Sequence, residues 1–171
     1  GFMGSGKSTI GPILANSIGY SHMDIDREIE RLTKKRVTEI FLDEGESYFR
    51  TVEHGVLETI SQEQRYVISL GGGTIADEIN FVIIKSSGLL VYLKTDPEQI
   101  FQRLKHKNDR PVLKSEDGTM PKDDELRRKI RSVLDLREGY YNRADIVIET
   151  GDKRLGLTVD DIVRRITPYI E

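Results

Sequence analysis

The chain has 171 residues, a net charge of −3 and 32% charged residues. That length fits one domain with its own core, and the near-balanced charge gives no argument for nucleic acid as a partner. With no cysteine, disulfides and thiolate zinc sites are excluded and a cytoplasmic setting is permitted, and no apolar run approaches the roughly 20 residues that cross a bilayer.

The chain opens on a glycine-rich loop, followed by a helical face of Ile10, Ile13, Leu14 and Ile18 that Gly19 closes. Pro12 lies inside that helix and removes one backbone donor, which predicts a local irregularity. A short strand over Tyr20–Met23 leads to Asp24-Ile25-Asp26. Ile29 and Leu32 mark a second helix, which ends at Lys34-Lys35-Arg36. Thr38 caps a short helix through Leu42, and Phe49, Val52, Val56 and Ile60 give a longer amphipathic one. Tyr66–Leu70 reads as a buried strand ending at Gly71-Gly72-Gly73, with a helix over Ile79–Ser86 and a strand over Leu89–Leu93 after it. Asp96-Pro97 starts a helix carrying Ile100, Phe101 and Leu104. From His106 to Pro121 the pattern dissolves into charge, glycine and proline, a length that reads as a lid over 106–121 or else as a disordered segment. Helix resumes from Asp123 to Arg137, Ile146-Val147-Ile148 is a last strand, and Thr158 caps a final helix.

Strands alternating with helices predict an α/β fold, 1–171 as a single domain, with a mostly parallel sheet and helices on both faces. The loop at Gly1 is of a kind that normally follows a buried parallel strand. A fifth strand at the centre of the sheet is therefore expected ahead of Gly1; without it, buried backbone groups would lose partners worth about 1–3 kcal/mol apiece.

The opening segment, Gly1-Phe2-Met3-Gly4-Ser5-Gly6-Lys7-Ser8-Thr9, fits G-x-x-x-x-G-K-[ST] without a gap. Glycines let backbone N–H groups approach a phosphate chain, Lys7 adds charge near the β- and γ-phosphates, and the Ser8 hydroxyl is set for Mg²⁺. The residues Gly4, Ser5, Gly6, Lys7, Ser8 and Thr9 are thus the candidate ATP cradle.

Three further constellations narrow the reading. In Asp24-x-Asp26, one carboxylate can serve Mg²⁺ directly or through water, while the other accepts a hydrogen bond from a substrate hydroxyl. Alternation along an extended segment would put both on one side. The strand Val67–Leu70 ends without an acid, so Asp24 is the best-placed metal carboxylate. Taken alone, Asp26 reads more readily as a helix cap; beside the phosphate loop the substrate reading takes precedence. Arg50 and Glu53 are helix neighbours, and a guanidinium held by a carboxylate is a rigid fork for a substrate carboxylate. Without context the same pair is a surface ion pair worth about 0–1 kcal/mol. Gly71-Gly72-Gly73 lies at a strand's C-terminal end, where ligands sit in parallel sheets, and lets backbone come close to one.

Together these residues resemble the shikimate kinases, members of the nucleoside-monophosphate-kinase-like P-loop family, from Gly1 to about Arg154. The resemblance implies transfer of the ATP γ-phosphoryl group to the 3-hydroxyl of shikimate, in aromatic amino acid biosynthesis. It implies ATP and Mg²⁺ as cofactors and a shikimate-binding region over 24–62. The absence of obvious extra domains points to a stand-alone monomer, and the cysteine-free composition permits a cytoplasmic one. The resemblance makes Asp26 the base and Arg50, Gly71, Gly72, Gly73 and Arg137 shikimate contacts. Arg103 and Arg110-Pro111-Val112-Leu113 match the lid arginines, with Arg110 catalytic on the phosphates and Arg103 against adenine. Thr150–Arg154 occupies the adenine-loop position and makes Arg154 a nucleotide contact. His22, His54 and His106 carry no partner pattern and read as structural or surface residues. Two rivals remain: a gluconate-type or nucleoside monophosphate kinase, and an ATP-binding regulatory module without catalysis. Paired arginines over a carboxylate do not favour a nucleobase, and retention of Lys7, Ser8, Asp24, Asp26 and Arg110 together does not favour a dead domain.

Overall fold

The computed structural model describes residues 1–106, 113, 121–151 and 154–170. Its elements are α1 (Lys7–Ile18), β1 (Ser21–Asp24), α2 (Ile25–Thr33), α3 (Val37–Asp43), α4 (Gly45–Ile60), β2 (Tyr66–Ser69), α5 (Glu78–Ser87), β3 (Val91–Lys94), α6 (Pro97–Leu104), α7 (Asp123–Tyr141), β4 (Ile146–Glu149) and α8 (Leu155–Ile166). Short 3₁₀ turns occupy Thr74–Ala76 and Thr167–Tyr169. The alternation gives an α/β fold, as the sequence predicts.

Among the described residues, four of the five expected strands are seen, in two parallel pairs. β1 pairs with β2, bringing Asp24 opposite Ser69, and β3 pairs with β4, bringing Lys94 opposite Glu149. Between β2 and β3 lies a cleft of about 460 Å³ with Ile10, Leu14, Ile68, Leu70 and Leu93 on its walls and Gly1 and Lys7 at its lining.

Two apolar clusters cover the two faces. The smaller joins Ile10 and Leu14 of α1 to Leu93, Ile146 and Ile148 of β3 and β4 and to Val159, Ile162 and Ile166 of α8. The larger gathers Ile25, Ile29, Ile40, Phe49, Val56, Phe101, Ile130, Tyr141 and, from the lid stretch, the fully buried Leu113. Burying each such side chain stabilises by about 1.5–3 kcal/mol.

Several local expectations are corrected. α1 runs unbroken through Pro12, whose ring sits on the exposed face. Ile13 and Leu32 are 39% and 54% exposed, because the face that actually packs is narrower than the apolar stripe. α2 begins at Ile25, so Asp24 rather than Asp26 is its cap, accepting from the Asp26 and Arg27 amides at 3.1 and 3.3 Å. α3 begins a residue before Thr38, and Glu39 reaches back to the Arg36 amide at 2.7 Å. Thr158 lies buried inside α8 rather than capping it. α7 extends one turn past Arg137 to Tyr141.

Candidate active site

The first loop turns on glycines. Gly4 and Gly6 take φ of 80° and 102°, a region costly for other residues, and Gly6 leads directly into α1. The Lys7 ammonium folds back over this loop, donating to the Gly1 carbonyl at 2.7 Å and the Phe2 carbonyl at 2.9 Å. Arg103, on α6 rather than in the lid itself, donates to the Gly4 carbonyl at 2.9 Å and so stands at the same loop. Beneath it, Thr150 donates to the Ser5 carbonyl at 3.4 Å and pairs with Thr95 at 2.6 Å. This ties the start of the expected adenine loop to the phosphate loop. Arg154 is exposed at the head of α8. Arg110 lies outside the described residues, as does most of 106–121.

Beside the loop, the Ser8 hydroxyl donates to Asp24 Oδ2 at 3.4 Å while Asp24 Oδ1 caps α2. Two oxygen donors on one side of the phosphate loop suit a hard cation that takes its other ligands from phosphate and water. Among the described residues there is no cluster of three or more acidic, histidine or cysteine groups that would cage a metal by itself.

Behind α1, His22 Nε2 meets Ser69 Oγ at 3.0 Å, and Ser69 donates to the Lys7 carbonyl at 3.4 Å. Gly11 is required here, since a Cβ on it would lie 2.5 Å from His22 Nε2 and 2.7 Å from Ser69 Oγ. Burial holds the His22 pKa below its ordinary value; the Asp24 charge opposes this and Arg27 adds to it. His54 likewise has a structural partner, Asn80, at 2.7 Å.

The second half of the site converges on the glycine triplet. A Cβ at Gly71 would lie 3.3 Å from Asp26 Oδ1, at Gly72 3.5 Å from Arg137 Nη1, and at Gly73 2.8 Å from Arg50 Nη2. Each glycine thus faces one candidate substrate residue, brought in by α2, α7 and α4 respectively. Asp26 is not the cap of its helix, so that alternative reading of it falls away. It stands in the first turn of α2, two residues past the strand end, rather than on a strand face with Asp24.

Arg50 is fixed by two carboxylates, Glu53 at 2.7 Å and Glu46 at 2.9 Å. Burial works against its charge, but Glu53 and Glu46 outweigh burial and raise its pKa. Glu53 is only 1% exposed and accepts from Thr74 Oγ1 at 2.6 Å, so one buried carboxylate links Arg50 to the residue that follows the triplet. Among the described residues no carboxylate pairs with Arg137, which stands half-buried beside Gly72. Sequence reasoning missed Glu53–Thr74 as a link and missed Tyr141 altogether. Tyr141 donates to the Gly72 carbonyl at 2.5 Å. Its only sequence signal was its place one turn beyond Arg137.

A family model described as shikimate kinase matches residues 3–167. The shikimate kinase of Chlorobium phaeobacteroides strain DSM 266 is 47% identical over 170 residues, covering 99% of this chain and 90% of that protein. That of Chlorobaculum tepidum is 46% identical, covering 99% and 89%. Among solved structures, the shikimate kinase from Acinetobacter baumannii in complex with shikimate aligns with a TM-score of 0.88 at 33% identity, covering 100% of this chain and 92% of that one. The enzyme from Bacteroides thetaiotaomicron aligns at 0.87 and 29%, covering 97% and 94%.

Proposed function

The chain belongs to the shikimate kinase family, and we propose, on that premise, how its own residues divide the transfer of a phosphoryl group from ATP to shikimate. The observation that carries the reading is the triplet: Asp26, Arg137 and Arg50 each face one of Gly71, Gly72 and Gly73. One carboxylate acceptor and two guanidinium donors around bare backbone match a small polyol acid better than a nucleobase.

At the phosphate end, the amides of Gly4–Thr9 bind the β- and γ-phosphates. Lys7 exchanges its two carbonyl partners for phosphate oxygens, a swap of like hydrogen bonds that adds a charge–charge attraction. Ser8 and Asp24 would hold Mg²⁺, whose contribution is to neutralise charge on the bridging phosphates. Arg103 lies at the nucleotide side of the loop, and Arg154 is assigned to the adenine by position in the chain. Arg110 is assigned by resemblance to the phosphates when the lid closes.

At the acceptor end, Arg50 and Arg137 clamp the carboxylate of shikimate. Asp26 orients the 3-hydroxyl and accepts its proton as the oxygen attacks the γ-phosphorus; the bond to the β-phosphate oxygen breaks and ADP leaves. The transition state is loose, so positioning and charge supply most of the acceleration. The acceptor is a small molecule, and the reading is of a cytoplasmic monomer.

The test is ADP release from ATP and Mg²⁺ with shikimate, gluconate or a nucleoside monophosphate supplied in parallel. Release with shikimate alone is expected. Release with gluconate alone would reassign the acceptor.

A further inference from the structure

Tyr141 ends α7 with its ring buried, 1% exposed, and stacked on Tyr92 of β3 with centroids 4.8 Å apart. Its hydroxyl donates to the Gly72 carbonyl at 2.5 Å, across a separation of 69 residues. Arg137 lies one turn earlier on the same face of α7, and a Cβ on Gly72 would sit 3.5 Å from both Arg137 Nη1 and Tyr141 Oη. Burial raises the Tyr141 pKa, and the nearby Arg137 charge works against that rise. A phenol has one proton to give, and here it goes to Gly72.

This fixes more than one group. In a trans peptide the C=O and the following N–H point in opposite directions, so a Gly72 carbonyl held toward α7 turns the Gly73 N–H away from it. Glycines have little preference of their own, so without such a tether the peptide plane is free to rotate.

We propose that Tyr141 is a positioning residue for the acceptor: its hydroxyl sets the Gly72–Gly73 peptide plane beside the Arg137 guanidinium, so that the backbone facing the carboxylate is ordered before shikimate arrives. The inference rests on the reading of Arg137 as a shikimate contact.

Tyr141→Phe keeps the ring and its stacking on Tyr92 and removes one oxygen. Steady-state rates are measured with shikimate varied at saturating ATP, then the reverse, together with the melting temperature. The KM for shikimate should rise about tenfold, in line with one lost buried hydrogen bond, while the KM for ATP stays within about twofold. In an Arg137→Ala background the same change should have a smaller effect, because the substrate contact beside the tethered peptide is gone. Equal changes in both KM values, no change in either, or a fall in melting temperature alone would overturn the proposal. Arg137→Ala by itself separates the two layers. If it leaves the shikimate KM unmoved, the reading of Arg137 fails. If it moves that KM and Tyr141→Phe does not, the role of Tyr141 fails.

Discussion

The phosphate end of the site lies within Gly1–Thr9 and is shaped by backbone, whereas the acceptor end is gathered from α2, α4, the loop after β2 and α7 and is held by side chains. At the phosphate end Lys7 rests on its own loop's carbonyls and, on the proposed reading, would change partners when ATP binds. At the acceptor end Arg50 already sits between Glu46 and Glu53, and Tyr141 already holds Gly72. A phosphate chain is recognised by repeated amides and can be met by a loop. A chiral acid with several hydroxyls needs separate groups at fixed angles, and those come from different elements braced against each other.

If the two ends are distinct, substitutions should separate by substrate. The largest effect falls on chemistry: Asp26→Asn should cut kcat by about 10²–10⁴, the usual contribution of a positioned base, with ATP binding by calorimetry nearly unchanged. Turnover that stays near wild type would remove Asp26 from its role. Gly73→Ala comes next. Its new methyl would lie 2.8 Å from Arg50 Nη2 and would push the fork aside. The KM for shikimate should rise by roughly 10- to 100-fold, since small displacements of a positioning group are costly. A parallel rise in the KM for ATP would mean that the two ends are one mechanical unit.

Gly11→Ala probes the scaffold of the phosphate end. The added methyl meets His22 and Ser69 rather than a substrate group, so it should cost about 1–3 kcal/mol in urea unfolding, as overpacking does. Pairing it with His22→Ala should recover part of that loss. Full stability in Gly11→Ala alone would show that the close approach is not a constraint.

The smallest effect is electrostatic. Burial, aided by the charges of Tyr141 and Glu138, pushes the Tyr92 hydroxyl up to about 12. A folded pKa raised above the unfolded value of about 10 gives stability that is complete below pH 10 and is lost as pH rises toward 12. Tyr92→Phe should therefore flatten the fall in melting temperature across that window. An unaltered alkaline profile would mean the phenol is not protected by the fold.

The same contrast explains what the sequence made legible. Gly1–Thr9 could be read whole because its own part of the site is local, the backbone amides, Lys7 and Ser8 all falling within one turn and one helix start. Asp26, Arg50 and Arg137 could be named through short spacings and resemblance, but not brought together. Their convergence on Gly71–Gly73 depends on how α4 and α7 pack, which no periodicity encodes. Tyr141 was invisible for the same reason, since its partner Gly72 is 69 residues away. Asp24 and Asp26 stand close enough that both satisfy the cap rule, and only the strand end decides that Asp24 takes the role. Ile13 and Leu32 fit the helical stripe yet face solvent, because apolar spacing marks a stripe and not the width of the surface it meets.

The most direct measurement compares shikimate with its methyl ester as acceptors, for the wild type, Arg50→Ala and Arg137→Ala. The account predicts that neutralising the carboxylate raises the wild-type KM by at least about tenfold, as expected when a charged hydrogen-bonded pair is lost, and that each arginine variant is nearly indifferent to the change. If the ester serves the wild type as well as the acid does, or if the arginine variants still discriminate fully, the carboxylate does not lie between Arg50 and Arg137 and the acceptor end has been assigned wrongly.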